Sequence, residues 1–161
     1  MNIRAQLLLV TALIFMLPSC IREQITRTEA YFYNNTEHNV FILFYHNGRV
    51  AATDSIHLTP NSSYLFEQGS RRGNFVGRGF ASDIPTQAED SVIVVFDSNY
   101  KVSHYINPPN SYAEKYYDYS STRNISNVES YEFIREKGKK GVYTNIHNYY
   151  FTEADYEYAK D

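Results

Sequence analysis

Two short apolar runs constrain most strongly what this chain can fold into. Residues 40–45 read VFILFY and residues 91–96 read SVIVVF. β-Branched and aromatic side chains favour strands, and six residues is a usual strand length but a short one for a buried helix. Because both faces of each run are apolar, each run predicts a central strand that is buried on both sides.

Local signals place further strands around these two. Asn47 and Gly48 follow the first run, and this pair is a strong hairpin signal because a type I′ turn needs positive φ at both positions. Residues 49–58 are therefore predicted to pair back on the first run. Alternating or aromatic-rich segments bounded by turn residues predict the other strands, at residues 30–33, 63–67, 100–106, 129–136 and 142–151.

The last residues predict a short helix. Thr152 is followed three positions later by Asp155, which resembles a capping box with Asp in place of Glu, so residues 153–160 should be helical. A helix of this length is unstable alone and must dock on the sheet. About eight strands, one small helix and no alternation of strand with helix predict a mainly β fold. We expect an antiparallel β-sandwich, immunoglobulin-like or related, that forms a single domain over residues 30–161.

The start of the chain reads as a targeting segment. Arg4 is followed by an uncharged apolar run, residues 7–16, which as a helix spans only about 15 Å, roughly half the hydrocarbon core of a bilayer. That length fits the core of a signal peptide better than a membrane span. The run ends in Leu17, Pro18, Ser19 and Cys20, and Cys20 is the only cysteine, so no disulfide within the chain can form.

Residues 17–20 resemble the lipobox of bacterial lipoproteins, with an aliphatic residue at −3, a small residue at −1 and then Cys. Pro18 departs from the usual small residue at −2. The resemblance implies cleavage between Ser19 and Cys20, a lipid on the Cys20 thiol, a leader of residues 1–19 and a tether of residues 20–29. The membrane would then be a partner through that lipid. A secreted protein cleaved nearby and an uncleaved anchor are the alternatives.

The resemblance extends in a looser way to the whole chain. The lipobox, a Tyr-rich β domain with a Leu58-Thr59-Pro60-Asn61 step between strands, and the ending FTEADYEYA are similar to small uncharacterised Bacteroides-type lipoproteins of the Bacteroidota. This implies an outer-membrane location. Because the tether has no acidic run, a periplasm-facing position is favoured slightly over the cell surface. No activity comes with the resemblance, and no functional residue is carried over.

Charge and motifs exclude several function classes. The net charge of −3, which becomes −4 without Arg4, argues against a nucleic-acid partner. The five histidines are well separated and no HExxH, CxxC or GxSxG occurs, so no catalytic residue, metal site or cofactor is predicted. The glycine- and arginine-rich residues 69–80 lack the phosphate-binding GxxxxGK[ST] spacing. They read either as an anion-binding loop or, more simply, as a surface loop with solvated charges.

Three functions from different classes remain open. The first is a non-enzymatic envelope lipoprotein that acts as an accessory or structural module for a protein partner. The second is glycan binding through aromatic rings crowded in one predicted loop, namely Tyr112, Tyr116, Tyr117 and Tyr119. Packing of these rings on the sheet is the simpler interpretation. The third is an enzyme of unknown type, because a fold alone does not exclude a grafted site.

Two segments match a modification motif. Bacteroidota attach O-glycans at Asp followed by Ser or Thr and then a residue such as Ile or Val, and residues 54–56 and 90–92 both fit. Ser91 and Ser55 are therefore candidate acceptors. Ser91 is favoured because a predicted loop precedes it, whereas Ser55 lies inside a paired strand.

Overall fold

The computed structural model describes residues 24–46, 49–73, 91–107 and 115–161. Two 3₁₀ turns, Val128–Ser130 and Lys139–Gly141, flank one of the strands. In chain order the strands and the helix are β1 (Ile25–Asn34), β2 (Val40–His46), β3 (Arg49–Leu58), β4 (Ser63–Arg72), β5 (Ser91–Phe96), β6 (Tyr100–Tyr105), β7 (Tyr116–Tyr117), β8 (Glu132–Lys137), β9 (Val142–Phe151) and α1 (Glu153–Lys160).

The strands form two sheets. Sheet A has the order β4-β1-β9-β8, and sheet B has the order β3-β2-β5-β6-β7. The mainly β, sandwich-like fold with a short C-terminal helix is confirmed. The sheets are mixed rather than wholly antiparallel, because β1 pairs parallel with β9 and β6 pairs parallel with β7. Both parallel pairs join strands that are distant in sequence or very short, where no turn signal reports the direction of pairing.

The two apolar runs lie at the centre of sheet B, as predicted. β2 pairs antiparallel with β5 from Val40 opposite Phe96 to Tyr45 opposite Ser91. β3 pairs back on β2 through His46 opposite Arg49, which confirms the hairpin, although Asn47 and Gly48 lie outside the described residues. One face of this sheet packs on sheet A in a shared core, which consists of Phe32, Val40, Ile42, Phe44, Ile56, Leu58, Val92, Val94, Phe96, Val102, Ile125, Tyr131, Tyr149, Phe151 and Ala159.

The first strand begins earlier than predicted. β1 starts at Ile25 instead of residue 30, and it pairs along its whole length with β9, from Ile25 opposite Val142 to Asn34 opposite Phe151. Thr26 and Ala30 are buried. Half of the predicted tether, residues 25–29, is therefore part of the sheet. Its sequence does not reveal this, because the strand is stabilised by pairing with β4 and with β9, which are distant in sequence.

The C-terminal helix forms as predicted, over Glu153–Lys160. Asp155 Oδ2 accepts hydrogen bonds from the Thr152 amide at 2.8 Å and from the Thr152 hydroxyl at 2.9 Å, which satisfies the helix start. The helix docks beside sheet B, where the Tyr158 hydroxyl donates to the Tyr116 carbonyl at 3.0 Å and Ala159 is buried.

Candidate functional site

The outer face of sheet A carries a row of tyrosines. On β1 the side chain of Phe32 points into the core, so its neighbours Tyr31 and Tyr33 point outward. On β9 Tyr149 and Phe151 point inward and Tyr150 points outward. The parallel register sets Tyr33 opposite Tyr150, and their rings stack with centroids 5.1 Å apart and planes 24° apart.

Polar side chains stand between these rings. The same register sets Tyr31 opposite Asn148 on β9, and Asn148 opposite Glu132 on β8. Tyr31 lies 6.0 Å from Tyr33 between ring centroids. We call this surface the tyrosine face; its members are Tyr31, Tyr33, Tyr150, Glu29, Glu132 and Asn148.

Hydrogen bonds fix the carboxylates of the tyrosine face. The Tyr31 hydroxyl donates to Glu29 Oε2 at 2.9 Å, and the Tyr150 hydroxyl donates to Glu132 Oε2 at 2.6 Å. Partial burial and the bond to Glu132 raise the pKa of Tyr150 to about 12. Hydrogen bonds from Tyr150 and Asn148 lower the pKa of Glu132. At neutral pH the face therefore presents neutral phenols and an ionised carboxylate in a preset arrangement.

Exposed aliphatic side chains border the tyrosine face. Leu65 on β4 pairs with Tyr31 and is 39% exposed. Ile134 on β8 pairs with Ile146 and is 38% exposed. Aromatic rings, aliphatic groups and fixed hydrogen-bonding groups on one open sheet surface are suited to binding a partner.

A buried charged cluster lies where α1 meets sheet A. Arg123 Nε donates to Asp155 Oδ1 at 2.9 Å, and its terminal nitrogen contacts Asp155 Oδ2 and donates to the Tyr150 carbonyl at 2.8 Å. The Tyr149 hydroxyl donates to the Arg123 carbonyl at 2.6 Å. Asp155 is only 4% exposed, and the gap lined by Tyr117, Tyr149 and Asp155 has no room for a water molecule. The cluster therefore stabilises the fold and offers no space for a substrate.

His104 is buried next to this cluster. The Ile125 amide donates to His104 Nδ1 at 3.1 Å, so this nitrogen carries no proton. Burial, together with the positive charge of Arg123, lowers the pKa of His104 to about 3. The imidazole is therefore neutral at physiological pH and serves as a hydrogen-bond acceptor inside the core.

His38 joins three segments at one end of the sandwich. Its Nδ1 lies 2.5 Å from Asp97 Oδ2, and its Nε2 lies 3.6 Å from Glu153 Oε2. The Tyr156 ring stacks on the imidazole with centroids 3.5 Å apart. Asp97 also accepts from the Asn39 amide, and these bonds lower its pKa. Since both ring nitrogens face carboxylates, the arrangement ties the β1–β2 turn to the β5–β6 turn and to α1.

The described members of the tyrosine group that was predicted as a glycan site lie in different surroundings. Tyr117 is half-buried, stacks on Tyr158 at 4.9 Å and donates to Asp155 Oδ1 at 3.4 Å. Tyr116 lies 6.2 Å from Tyr105, Tyr119 is 47% exposed, and Tyr112 lies outside the described residues. This geometry favours the packing interpretation for Tyr117, and the glycan role of the four tyrosines stays a prediction.

The candidate modification sites lie in different surroundings. Ser55 is exposed on β3, an edge strand of sheet B, next to the buried Ile56. Ser91 is half-buried and sits between Tyr45 and Tyr105 in the middle of sheet B. Ser55 is therefore the more exposed of the two, and the acceptor role of Ser91 or Ser55 stays a prediction. Ser19 and Cys20 lie outside the described residues.

Sequence reasoning missed the tyrosine face. The signal was the alternation of residues 29–33 and 148–151, which sets every second side chain outward. The alternation predicts two separate stripes, however, and only the parallel pairing of β1 with β9 makes them one surface.

No group of three or more His, Cys, Asp or Glu side chains within residues 24–46, 49–73, 91–107 and 115–161 is arranged to hold a metal ion. Over those same residues, no helix has both the length and the apolar character required to cross a membrane. Comparisons of the chain with protein-family models, with curated proteins and with solved structures found no match.

Proposed function

We propose that this chain is a lipid-anchored, non-catalytic binding module of the bacterial outer membrane, which engages a protein partner of the envelope. The observation that carries the proposal is the tyrosine face, where Tyr33 and Tyr150 stack on the same side of sheet A as the exposed Leu65 and Ile134. Tyrosine is enriched at protein interfaces because a large, rigid ring is combined with a polar tip.

The anchor is the part of the proposal that rests on the lipobox. Cys20 lies five residues before β1 begins at Ile25, so a lipid on its thiol would hold sheet A directly above the membrane. Two or more acyl chains on such a residue give durable attachment, whereas one chain gives marginal binding.

The surroundings of His104 support the non-catalytic part. This histidine is buried, and its Nδ1 accepts a backbone hydrogen bond. It is therefore not placed to move a proton to or from a bound substrate.

Site-specific photo-crosslinking in cells tests the protein-partner proposal. A benzophenone amino acid in place of Ile134 should give an adduct with a specific envelope protein, and the same group in place of Tyr119, which is exposed elsewhere, should not. Adding Tyr33→Ala should weaken the Ile134 adduct strongly, because losing a hot-spot ring costs about 2 kcal/mol, or roughly 30-fold in affinity. Equal adducts at both positions, or none at Ile134, would count against the proposal.

Glycan binding is the second candidate, and the tyrosine face favours it by a specific feature. Glu132 is exposed and accepts a hydrogen bond from the Tyr150 hydroxyl, so sugar hydroxyls could bond to this carboxylate while sugar C–H faces stack on the rings. The chain contains no Trp, so tyrosine fluorescence reports ligand binding directly. A glycan array that stays blank for the wild-type protein would remove this candidate.

A further inference from the structure

One end of sheet A gathers the chain segment nearest to Cys20. β1 and β9 run parallel, and β4 and β8 run antiparallel to them. The start of β1 therefore lies beside the start of β9 and the end of β4, with Ile25 opposite both Val142 and Arg72. The end of β8 completes this edge, with Lys137 opposite Tyr143.

This end of the sheet is strongly basic. Six exposed basic side chains lie there, and we call them the basic end: Arg27, Arg71, Arg72, Lys137, Lys139 and Lys140. Glu136 is the acidic residue among the described segments at this edge, residues 24–28, 69–73 and 135–145. The concentration of positive charge contrasts with the net charge of −3 of the whole chain.

The opposite end of sheet A is acidic. Glu37, Glu129 and Glu153 are exposed there, near the C-terminal ends of β1 and β9 and the start of β8. The main positive group near them, Arg123, is neutralised by Asp155. The domain is therefore polarised along its strands, with positive charge at the end where the chain arrives from Cys20.

The β8–β9 hairpin holds three of these cations in place. Gly138 donates to the Val142 carbonyl at 2.8 Å, and Lys140 and Gly141 have φ values of 59° and 78°. Among the described residues, Lys137, Lys139 and Lys140 form no ion pair. Among the described residues, their charges are thus presented by a closed hairpin without an opposing carboxylate.

The short connection to Cys20 brings these charges to the membrane surface. Five residue steps to Ile25 span at most about 17 Å when fully extended. β8 lies two strands from β1, which is about 10 Å sideways at the usual strand spacing. If Cys20 carries lipid, the hairpin lysines can therefore reach the depth of the headgroups.

We propose that the basic end lies on anionic lipid headgroups and sets the orientation of the domain on the membrane. The proposal rests on the lipid anchor proposed above, and its recognition chemistry is contact of ammonium and guanidinium groups with headgroup phosphates. Each basic residue near an anionic surface contributes about fivefold to partitioning, so the three hairpin lysines together contribute about 100-fold at low salt. The anchor supplies attachment, and the basic end supplies direction.

Flotation with vesicles tests the basic end separately from lipidation. The probe is the full chain carrying Cys20→Ser, which cannot be acylated, mixed with phosphatidylglycerol or phosphatidylcholine vesicles. Binding of this parent chain to the anionic vesicles should fall by about 100-fold when Lys137→Gln, Lys139→Gln and Lys140→Gln are added together. Addition of 0.5 M NaCl should lower binding of the parent chain similarly. Because the uncleaved leader is present in every sample, differences between variants report the basic end.

The matched control changes three lysines on another surface. Lys101, Lys115 and Lys160 line a shallow groove of about 600 Å³ beside α1, and replacing them with Gln changes the net charge equally. This control should bind anionic vesicles nearly as well as the parent. Competition by inorganic phosphate at constant ionic strength would show a phosphate-ion site and overturn recognition of a lipid surface.

Two results would overturn the proposal outright. One is equal binding of the parent and the Lys137, Lys139 and Lys140 triple variant to anionic vesicles, and the other is an equal loss in the two triple variants. Failure of the anchor is seen in a different assay, the absence of fatty-acid label on wild-type Cys20, and leaves the flotation result interpretable.

Discussion

His104 should make this fold acid-sensitive through one buried imidazole, and His104→Asn should remove that sensitivity. The side chain is 2% exposed, and its Nδ1 accepts from the Ile125 amide. Asn keeps an acceptor oxygen near the position of that nitrogen but cannot take up a proton. The variant is therefore expected to fold while losing the titration.

The magnitude follows from the two pKa values of this group. The unfolded chain protonates His104 near pH 6.5, whereas burial and Arg123 lower its pKa in the folded state to about 3. Below pH 6.5 the unfolded state binds more protons, so stability falls as the pH falls, until about pH 3. The slope is about 1.4 kcal/mol per pH unit, which gives a loss of about 3 kcal/mol between pH 7.5 and 4.5.

Urea unfolding at these two pH values, followed by tyrosine fluorescence or circular dichroism, measures the effect. The free energy of unfolding of the wild-type protein should fall, relative to that of His104→Asn, by about 3 kcal/mol on going from pH 7.5 to 4.5. Asp97 and Glu132 also have lowered folded pKa values, but they lose their stabilisation at lower pH and do so equally in both proteins. A wild-type slope that His104→Asn leaves unchanged would refute the reasoning.

Other substitutions test the hydrophobic core, the Arg123–Asp155 ion pair, the lipid anchor and the candidate glycosylation site. Val94→Asp should prevent folding, because an unpaired charge at a site that is 1% exposed costs several kcal/mol. In the same thermal melts, Lys139→Ala should leave the melting temperature near that of the wild type. Asp155→Asn should cost about 3–5 kcal/mol in urea unfolding, because it leaves the facing guanidinium without its counter-charge. Cys20→Ser should abolish fatty-acid labelling of the protein in cells, and a labelled variant would contradict the anchor. Ser55→Ala should remove any glycan mass from protein isolated from its own envelope, and an unmodified wild-type mass would end that idea.

Local patterns predicted those elements whose own residues determine their structure. β2 and β5 are apolar on both faces, and α1 begins at a capping arrangement of Thr152 with Asp155. Such signals act over a few residues, so they are readable without knowledge of the partner strands.

Long-range pairing limited the rest of the fold prediction. Residues 25–29 are polar and give no local strand signal, yet β1 includes them because β4 and β9 supply its hydrogen bonds. β7 has only two residues, Tyr116 and Tyr117, and it is held by β6 rather than by its own sequence. Propensity is a weak guide wherever tertiary contacts decide the structure.

The candidate site was hidden for the same reason. The sequence is rich in tyrosine, and the densest group of tyrosines, near residue 116, indicated a binding site in a predicted loop. The structure places Tyr117 against α1 and assembles the outward-facing row from Tyr31 and Tyr33 on β1 and Tyr150 on β9, strands more than a hundred residues apart in sequence. The density of a residue type along the chain does not report which side chains share a surface.

The geometry of sheet A links the proposed anchor to the proposed binding surface. β1 begins at the basic end with Ile25, and Tyr33 of the tyrosine face lies eight residues further along the same strand. At about 3.3 Å per residue, Tyr33 is about 26 Å from the end of the sheet nearest to Cys20. If the basic end rests on headgroups, the tyrosine face stands sideways and well above the membrane surface. A partner that contacts both Tyr33 and Ile134 must therefore project from the membrane or lie outside it, and an integral protein buried in the bilayer without an extramembrane domain could not reach them.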